Sequence, residues 1–148
     1  MKHLILLFLL ILASVTTASA ADENFYKQHG DYKIFYSAFG SSFLTPEIAV
    51  ANNIVRGKDK GLVNIAVVKE LGTGTSAKVT GKVFNILQQT QFLEFTAVRE
   101  QDTLYYLAPF EFDNQDYLTF EITVVPDPEK GAFGGAYQFK FQKKMYHN

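Results

Sequence analysis

Tyr32, Ile34, Tyr36 and Ala38 alternate along the chain with Lys33, Phe35, Ser37 and Phe39. A period of two places the first set on one side of an extended strand and the second set on the other, so one side is apolar and the other mixed. A helix cannot present that pattern to a core, and related patterns recur through the chain. Seven strands are expected, over residues 31–39, 62–69, 77–87, 91–99, 104–112, 117–125 and 137–146. The third to the seventh follow one another at turn-bounded intervals close to those of all-β sandwiches. Residues 62–69 contain the unbroken apolar stretch Ile65 to Val68, which fits a central strand. The 14 Phe and 8 Tyr, together with many Val, Ile and Thr, suit pleated, half-buried surfaces.

Turn chemistry orders these segments. Asp113-Asn114-Gln115-Asp116 supplies capping side chains between 104–112 and 117–125, so those two strands are expected to pair as a hairpin. A second hairpin is expected across Gln88 to Thr90, where no strong turn residue stands. Pro126-Asp127-Pro128 stops the sixth strand. One short helix interrupts the strands near residues 46–52: Thr45 offers an N-cap oxygen, Pro46 the first helical position and Glu47 an early carboxylate, while Asn52-Asn53 ends it. Asp102 to Ala108 has the spacing of a tyrosine corner around Tyr106, whose hydroxyl would tie the strand start to upstream backbone. The expected fold is an all-β, antiparallel β-sandwich of about seven strands, immunoglobulin-like. A small β-barrel is the alternative, because closure leaves no local sequence pattern.

Residues 1–20 read as a cleaved signal peptide and 21–148 as one sandwich domain. Met1-Lys2-His3 gives a positive start, Leu4 to Leu12 an apolar run, and Ala18 and Ala20 small residues before a signal-peptidase cut at Ala21. The run gives way to Thr16-Thr17 well short of the about 20 apolar residues that a spanning helix needs. The chain has no cysteine, which fits a bacterial periplasm and leaves Ala21 unable to carry a lipid. The mature protein is therefore expected to be soluble in the periplasm, with any membrane association made through a partner. Charge is nearly balanced, 14 Lys plus Arg against 15 Asp plus Glu, and Lys143-Lys144 is the one tight basic pair, so a nucleic-acid role is not expected.

Candidate chemistry is sparse. Nucleophilic catalysis needs a hydroxyl or thiol beside a positioned base. The sequence offers Ser41 or Ser42 with His29 folded back, or the terminal His147. Carboxylate pairs, Asp113 with Asp116 or Glu111 with Glu121, read as turn and surface groups rather than glycosidase acids. Asp113, Asn114 and Asp116 offer oxygen ligands to calcium, and Met145, His147 and His29 would bind copper only if the termini met. No catalytic, cofactor-binding or metal-binding residue is assigned, and no cofactor is expected. What remains is the aromatic surplus, present on both sides of some strands. It reads first as a thick core and second as an exposed protein or ligand contact, for which Phe39, Phe43, Arg99 and Tyr105 are the candidates.

Tyr36-Ser37-Ala38-Phe39, Ser42 to Ala49, Gly61 to Val67 and Tyr105-Tyr106-Leu107-Ala108 resemble, in order, a family of small exported Gram-negative bacterial proteins known only as a domain of unknown function. The resemblance implies one exported β-rich domain and brings no activity with it. The expected function is a non-enzymatic interaction module of the cell envelope, contacting a protein or another envelope component. A small-ligand or metal-ion carrier is the alternative, and a hydrolase ranks last. N-terminal sequencing of the exported protein should begin at Ala21.

Overall fold

The computed structural model describes residues 25–69, 72–130 and 135–148. The strands among them are β1 (Tyr26–His29), β2 (Tyr32–Gly40), β3 (Lys60–Lys69), β4 (Thr73–Gly74), β5 (Ala77–Phe84), β6 (Thr90–Leu93), β7 (Thr96–Glu100), β8 (Thr103–Glu111), β9 (Tyr117–Pro126) and β10 (Tyr137–Lys144), with one helix, α1 (Pro46–Ala51). They form two antiparallel sheets. The first has the order β1-β2-β3-β8-β7 with β4 added beside β3, and the second the order β10-β9-β5-β6. With β1 and β4 set aside, the order corresponds to strands A, B, E and D facing G, F, C and C′ of an immunoglobulin-type sandwich. The two sheets stay separate, so the barrel alternative does not hold.

Alternation sorts side chains between an inner and an outer face of each sheet. Ile34 and Ala38 of β2, Val63, Ile65 and Val67 of β3, and Tyr106, Ala108 and Phe110 of β8 meet Val79 and Val83 of β5 and Leu118, Phe120, Ile122 and Val124 of β9 in one buried cluster. Rings thread this interior. Phe120 stacks on Phe141 at 4.7 Å, Phe110 meets Phe120 edge-on at 5.2 Å, and Tyr36 lies 5.2 Å from Phe139 and 4.8 Å from Phe141. Half of the described Phe and Tyr rings are therefore core, in the offset and tilted arrangements that ring quadrupoles favour.

One pairing expected from the sequence is not formed, and one expected strand is divided between the two sheets. Segments 104–112 and 117–125 do make strands, but β8 pairs with β3 and β7 while β9 pairs with β5 and β10. Asp113 to Asp116 does make a turn, closed by Asp116 N–H on the Asp113 carbonyl at 3.1 Å and Asp113 N–H on the Asp116 carboxylate at 2.9 Å. That turn carries the chain from one sheet to the other instead of folding a hairpin. Likewise 91–99 is two strands in different sheets, β6 against β5 and β7 against β8, with Glu94-Phe95 at the crossing. Gln91 anchors the crossing. Its side-chain amide donates to the Glu111 carbonyl at 2.7 Å and accepts from the Glu111 N–H at 2.8 Å, filling the ladder position beyond the end of β7.

The β5–β6 hairpin forms as expected, but its turn residue is Asn85. The Asn85 side-chain oxygen accepts from the N–H groups of Leu87 and Gln89, both at 3.0 Å. Helix α1 has the expected start, with the Thr45 hydroxyl oxygen accepting from Ile48 N–H at 3.3 Å and Pro46 at the first position. Tyr106 does not make the expected corner with nearby upstream backbone. Its hydroxyl accepts from Ala77 N–H at 2.8 Å, tying β8 to the start of β5 in the opposite sheet. The short β1 had no alternation long enough to read.

Gly61 is fixed by the aromatic interior. It stands opposite Phe110 in the β3–β8 register, and a Cβ there would overlap the Phe110 ring. Gly61→Ala should lower stability by about 1–3 kcal/mol through forced repacking, measured by denaturant unfolding.

Candidate functional site

The fold takes apart the arrangement of Ser41 or Ser42 with His29. Ser41 is buried, and its hydroxyl donates to the Gly57 carbonyl and accepts from the Gly57 N–H at 3.0 Å, pinning the chain after α1 to the end of β2. His29 stacks on Tyr137 at 4.9 Å, at the other end of the nine-residue β2, roughly 30 Å along the strand. His147 stands beyond the opposite end of β10, with a ring nitrogen 3.2 Å from the Phe112 carbonyl, and Met145 is buried in the core. The termini therefore do not bring His29, Met145 and His147 together. Glu111 pairs with Lys60 on the first sheet and Glu121 with Lys82 and Lys140 on the second. Among the described residues, no group of three or more His, Cys, Asp or Glu is placed to hold a metal ion.

An apolar band crosses the outer face of the first sheet, with Lys33 at one end and the Lys60–Glu111 pair at the other. Cross-strand register sets Tyr26, Phe35 and Ala66 in one row, which β8 and β7 continue with Tyr105 and Val98. The next row holds Ser37, Asn64, Leu107 and Thr96, and the one after it Phe39, Leu62 and Pro109. A sandwich in water ordinarily turns polar side chains outward here. Segment 52–55, which follows α1, overlies the end of this face and leaves a cleft of about 270 Å³ lined by Val55, Leu62, Val98, Leu107 and Pro109. Ile48, Val50 and Val55 stay exposed on the overlying chain. In the middle of the face, the Asn64 side-chain oxygen is shielded from solvent and has no hydrogen-bond partner.

The outer face of the second sheet is polar. One row runs Phe92, Lys82, Glu121, Lys140 across β6, β5, β9 and β10. Glu121 lies 2.8 Å from the Lys140 ammonium and 3.3 Å from that of Lys82. The hydrogen bond from Lys140, and then that from Lys82, hold its carboxyl below the ordinary range against the opposing effect of desolvation. Lys78 and Lys144 lie on the same face, by register and alternation. On the adjoining turn Ile86 and Leu87 point into solvent.

Of the contact candidates from the sequence, Phe39 and Tyr105 do share the outer face of the first sheet, two rows apart. Phe43 is exposed on the single turn Ser41–Phe43, and Arg99 sits on the edge strand β7 with Leu104, an inner-face residue, as its register partner. The four therefore do not form one site. The Ile86-Leu87 tip was missed, and Phe35, one of the extra rings, was not among the four contact candidates. Phe35 sat in the mixed half of a visible alternation, and the tip lay inside a segment taken for strand. The cut-site residues Ala18, Ala20 and Ala21 lie outside the described residues. No helix among the described residues is long and apolar enough to cross a membrane.

Residues 26–148 match the family described as "Domain of unknown function (DUF4426)". A crystal structure of a DUF4426 family protein from Pseudomonas aeruginosa PAO1 is 31% identical, with a TM-score of 0.72 over 83% of this chain and 94% of that one. A copper-bound variant of FetP from uropathogenic Escherichia coli is 9% identical, with a TM-score of 0.60 over 83% of this chain and 95% of FetP. FetP isolated after recombinant expression in the periplasm gives 0.57 at 9% identity, over 83% and 93%. At that identity the likeness to FetP is one of fold. No protein with a curated description matches this chain significantly.

Glu121 sets a sign for acid behaviour. Its folded pKa is lowered, so its contribution to stability is present above the ordinary carboxylate range and is lost as pH falls through the lowered folded value. Glu121→Gln should therefore flatten the acid limb of a thermal-melting profile, with the largest difference from wild type near neutral pH.

Proposed function

The chain belongs to the DUF4426 family, and from that premise we propose that it is a non-enzymatic binding module of the cell envelope that docks on another exported protein. The contact surface is the outer face of the first sheet. One observation carries this reading: Tyr26, Phe35, Ala66, Tyr105 and Val98 form an apolar row outside a sandwich whose interior is already filled. The five strands hold 37 residues, which at about 3.3 Å per residue and about 4.8 Å between strands give a face of about 600 Å². That is at the small end of specific interfaces, which bury about 800 Å² per partner at standard size. The cleft beside Leu62 and Pro109 offers an apolar side chain of the partner a place to enter, as interface anchors commonly do. The leader at residues 1–20 supports the envelope address.

A carrier of a small apolar ligand is the second reading, favoured by the same cleft of about 270 Å³. The copper named for FetP belongs to FetP. The His and Met residues here are dispersed as described above.

Photo-crosslinkers placed in intact cells at Tyr105 and, separately, at Lys140 test the docking reading. The expected result is one protein, identified by mass spectrometry, captured from position 105 alone and lost in a Phe35→Lys, Thr96→Lys background. No capture from position 105, together with a small molecule retained in native mass spectra, would replace docking with carriage.

A further inference from the structure

The β5–β6 hairpin carries the most exposed large apolar side chains of the second sheet. Ile86 is 75% exposed, Leu87 74% and Phe92 81%. Ile86 and Leu87 form the tip, and Phe92 lies on the outer face opposite Lys82. Phe92 lines a groove on the outer face with Lys82 and Glu121, whereas Ile86 and Leu87 at the tip line none of the clefts described and suit a partner that takes apolar side chains without a matching pocket.

Two further observations favour lipid over protein. The first is charge. Lys78, Lys82, Lys140 and Lys144 share the outer face, where Glu121 neutralises part of the charge between Lys82 and Lys140. At the same end of the sheet Lys144 lies 5.6 Å over the ring of Tyr146, and Tyr117 stands opposite Lys144, both tyrosines exposed. Lysines beside tyrosines and aliphatic groups are the composition of surfaces that lie in the headgroup region of a bilayer. The acids Asp59, Glu111, Asp113 and Asp116 line a cleft that Asn85, Gln89 and Gln91 share, on the side of the hairpin where Gln91 reaches the first sheet.

The second is the backbone of the tip. Entry into a poorly hydrated layer demands that N–H groups be satisfied within the chain. Here Leu87 and Gln89 N–H donate to the Asn85 side-chain oxygen, Gln88 N–H donates to the Asn85 carbonyl at 3.0 Å, and Asn85 N–H donates to the Gln89 carbonyl at 3.2 Å. The Asn85 side-chain amide also donates to the Gln89 side-chain oxygen at 2.7 Å. This turn can leave water without stranding those donors, and Ile86 and Leu87 are exposed at its end together with Gln88.

We propose that the outer face of the second sheet lies on an anionic phospholipid surface, with Ile86 and Leu87 entering the interface and the lysines facing lipid phosphates. This is independent of the docking surface on the first sheet, and it replaces the expectation that membrane association needs a partner. Each lysine near an anionic surface adds attraction that salt screens.

Co-sedimentation of the processed protein with phosphatidylglycerol vesicles and with phosphatidylcholine vesicles tests it. The expected result is partitioning at least about ten-fold stronger on phosphatidylglycerol and weakened by about 0.5 M salt. Ile86→Ser with Leu87→Ser, and separately Lys78→Glu with Lys144→Glu, should each weaken binding about ten-fold or more with circular-dichroism melting unchanged. Phe35→Lys with Thr96→Lys should bind as wild type does. Equal binding to both lipids, no binding to either, or wild-type binding by the tip variant would overturn the proposal. Loss of binding in the Phe35, Thr96 variant would place the membrane on the other sheet and overturn it equally.

Discussion

Phe120 lies flat on Phe141, ring planes 10° apart and centroids 4.7 Å apart, and from that pair rings continue in both directions through the molecule. One way leads through Phe139 and Tyr137 to His29, the other through Phe110 and Phe112 to His147. These side chains span the gap of about 10 Å between packed sheets and fix its depth along the whole sandwich. Gly61 is required by one of these rings, and the buried valines of β3 and β5 fill the space beside them. Stacked and edge-on rings add about 0.5–1.5 kcal/mol per pair beyond burial, so the file gives the fold stability without disulfides. It also occupies the interior, which moves any binding to the outside.

Most strands were legible because alternation reports which side of a strand is apolar. It does not report which strand lies alongside. Residues 104–112 and 117–125 alternate well and flank a true turn, yet the turn bridges two sheets. Both hairpin and crossing bury the same alternate residues, Leu104, Tyr106, Ala108 and Phe110 against Leu118, Phe120, Ile122 and Val124. The distinction lies in the long-range pairing of β8 with β3, over 40 residues away in sequence at its nearest register pair, Ile65 with Tyr106. Residues 91–99 show the same limit. Leu93 and Phe95 keep the inward side through the crossing, so the pattern runs on unbroken while the hydrogen-bond partner changes.

The candidate surfaces were less legible, for a related reason. Phe39 and Tyr105 stood out as extra rings, and both do lie outside the core. Their face becomes visible only when β2, β3 and β8 are set side by side, because Ala66, Leu107 and Pro109 are unremarkable in the chain and matter as neighbours. The histidines misled in the opposite direction. Placement at the chain ends left room for the two to meet, whereas β10 holds them apart, each against a ring of the file.

The two outer faces are built from the same alternation and differ in what it exposes. On the first sheet the middle outward positions of β3 and β8 are Leu62, Asn64, Ala66, Tyr105, Leu107 and Pro109, uncharged, with the Lys60–Glu111 pair at the end of the same two strands. On the second, β5 and β9 turn out Lys78, Thr80, Lys82, Thr119, Glu121 and Thr123. Both sheets are equally anchored inward, so the inner packing does not account for the difference. Leu62 and Ala66 are buried on this face, 1% and 7% exposed, while Phe35 and Pro109 are exposed. An uncharged centre on one face and lysines around Glu121 on the other give the two sides different chemistry, and that asymmetry is what the proposed docking on the first sheet uses.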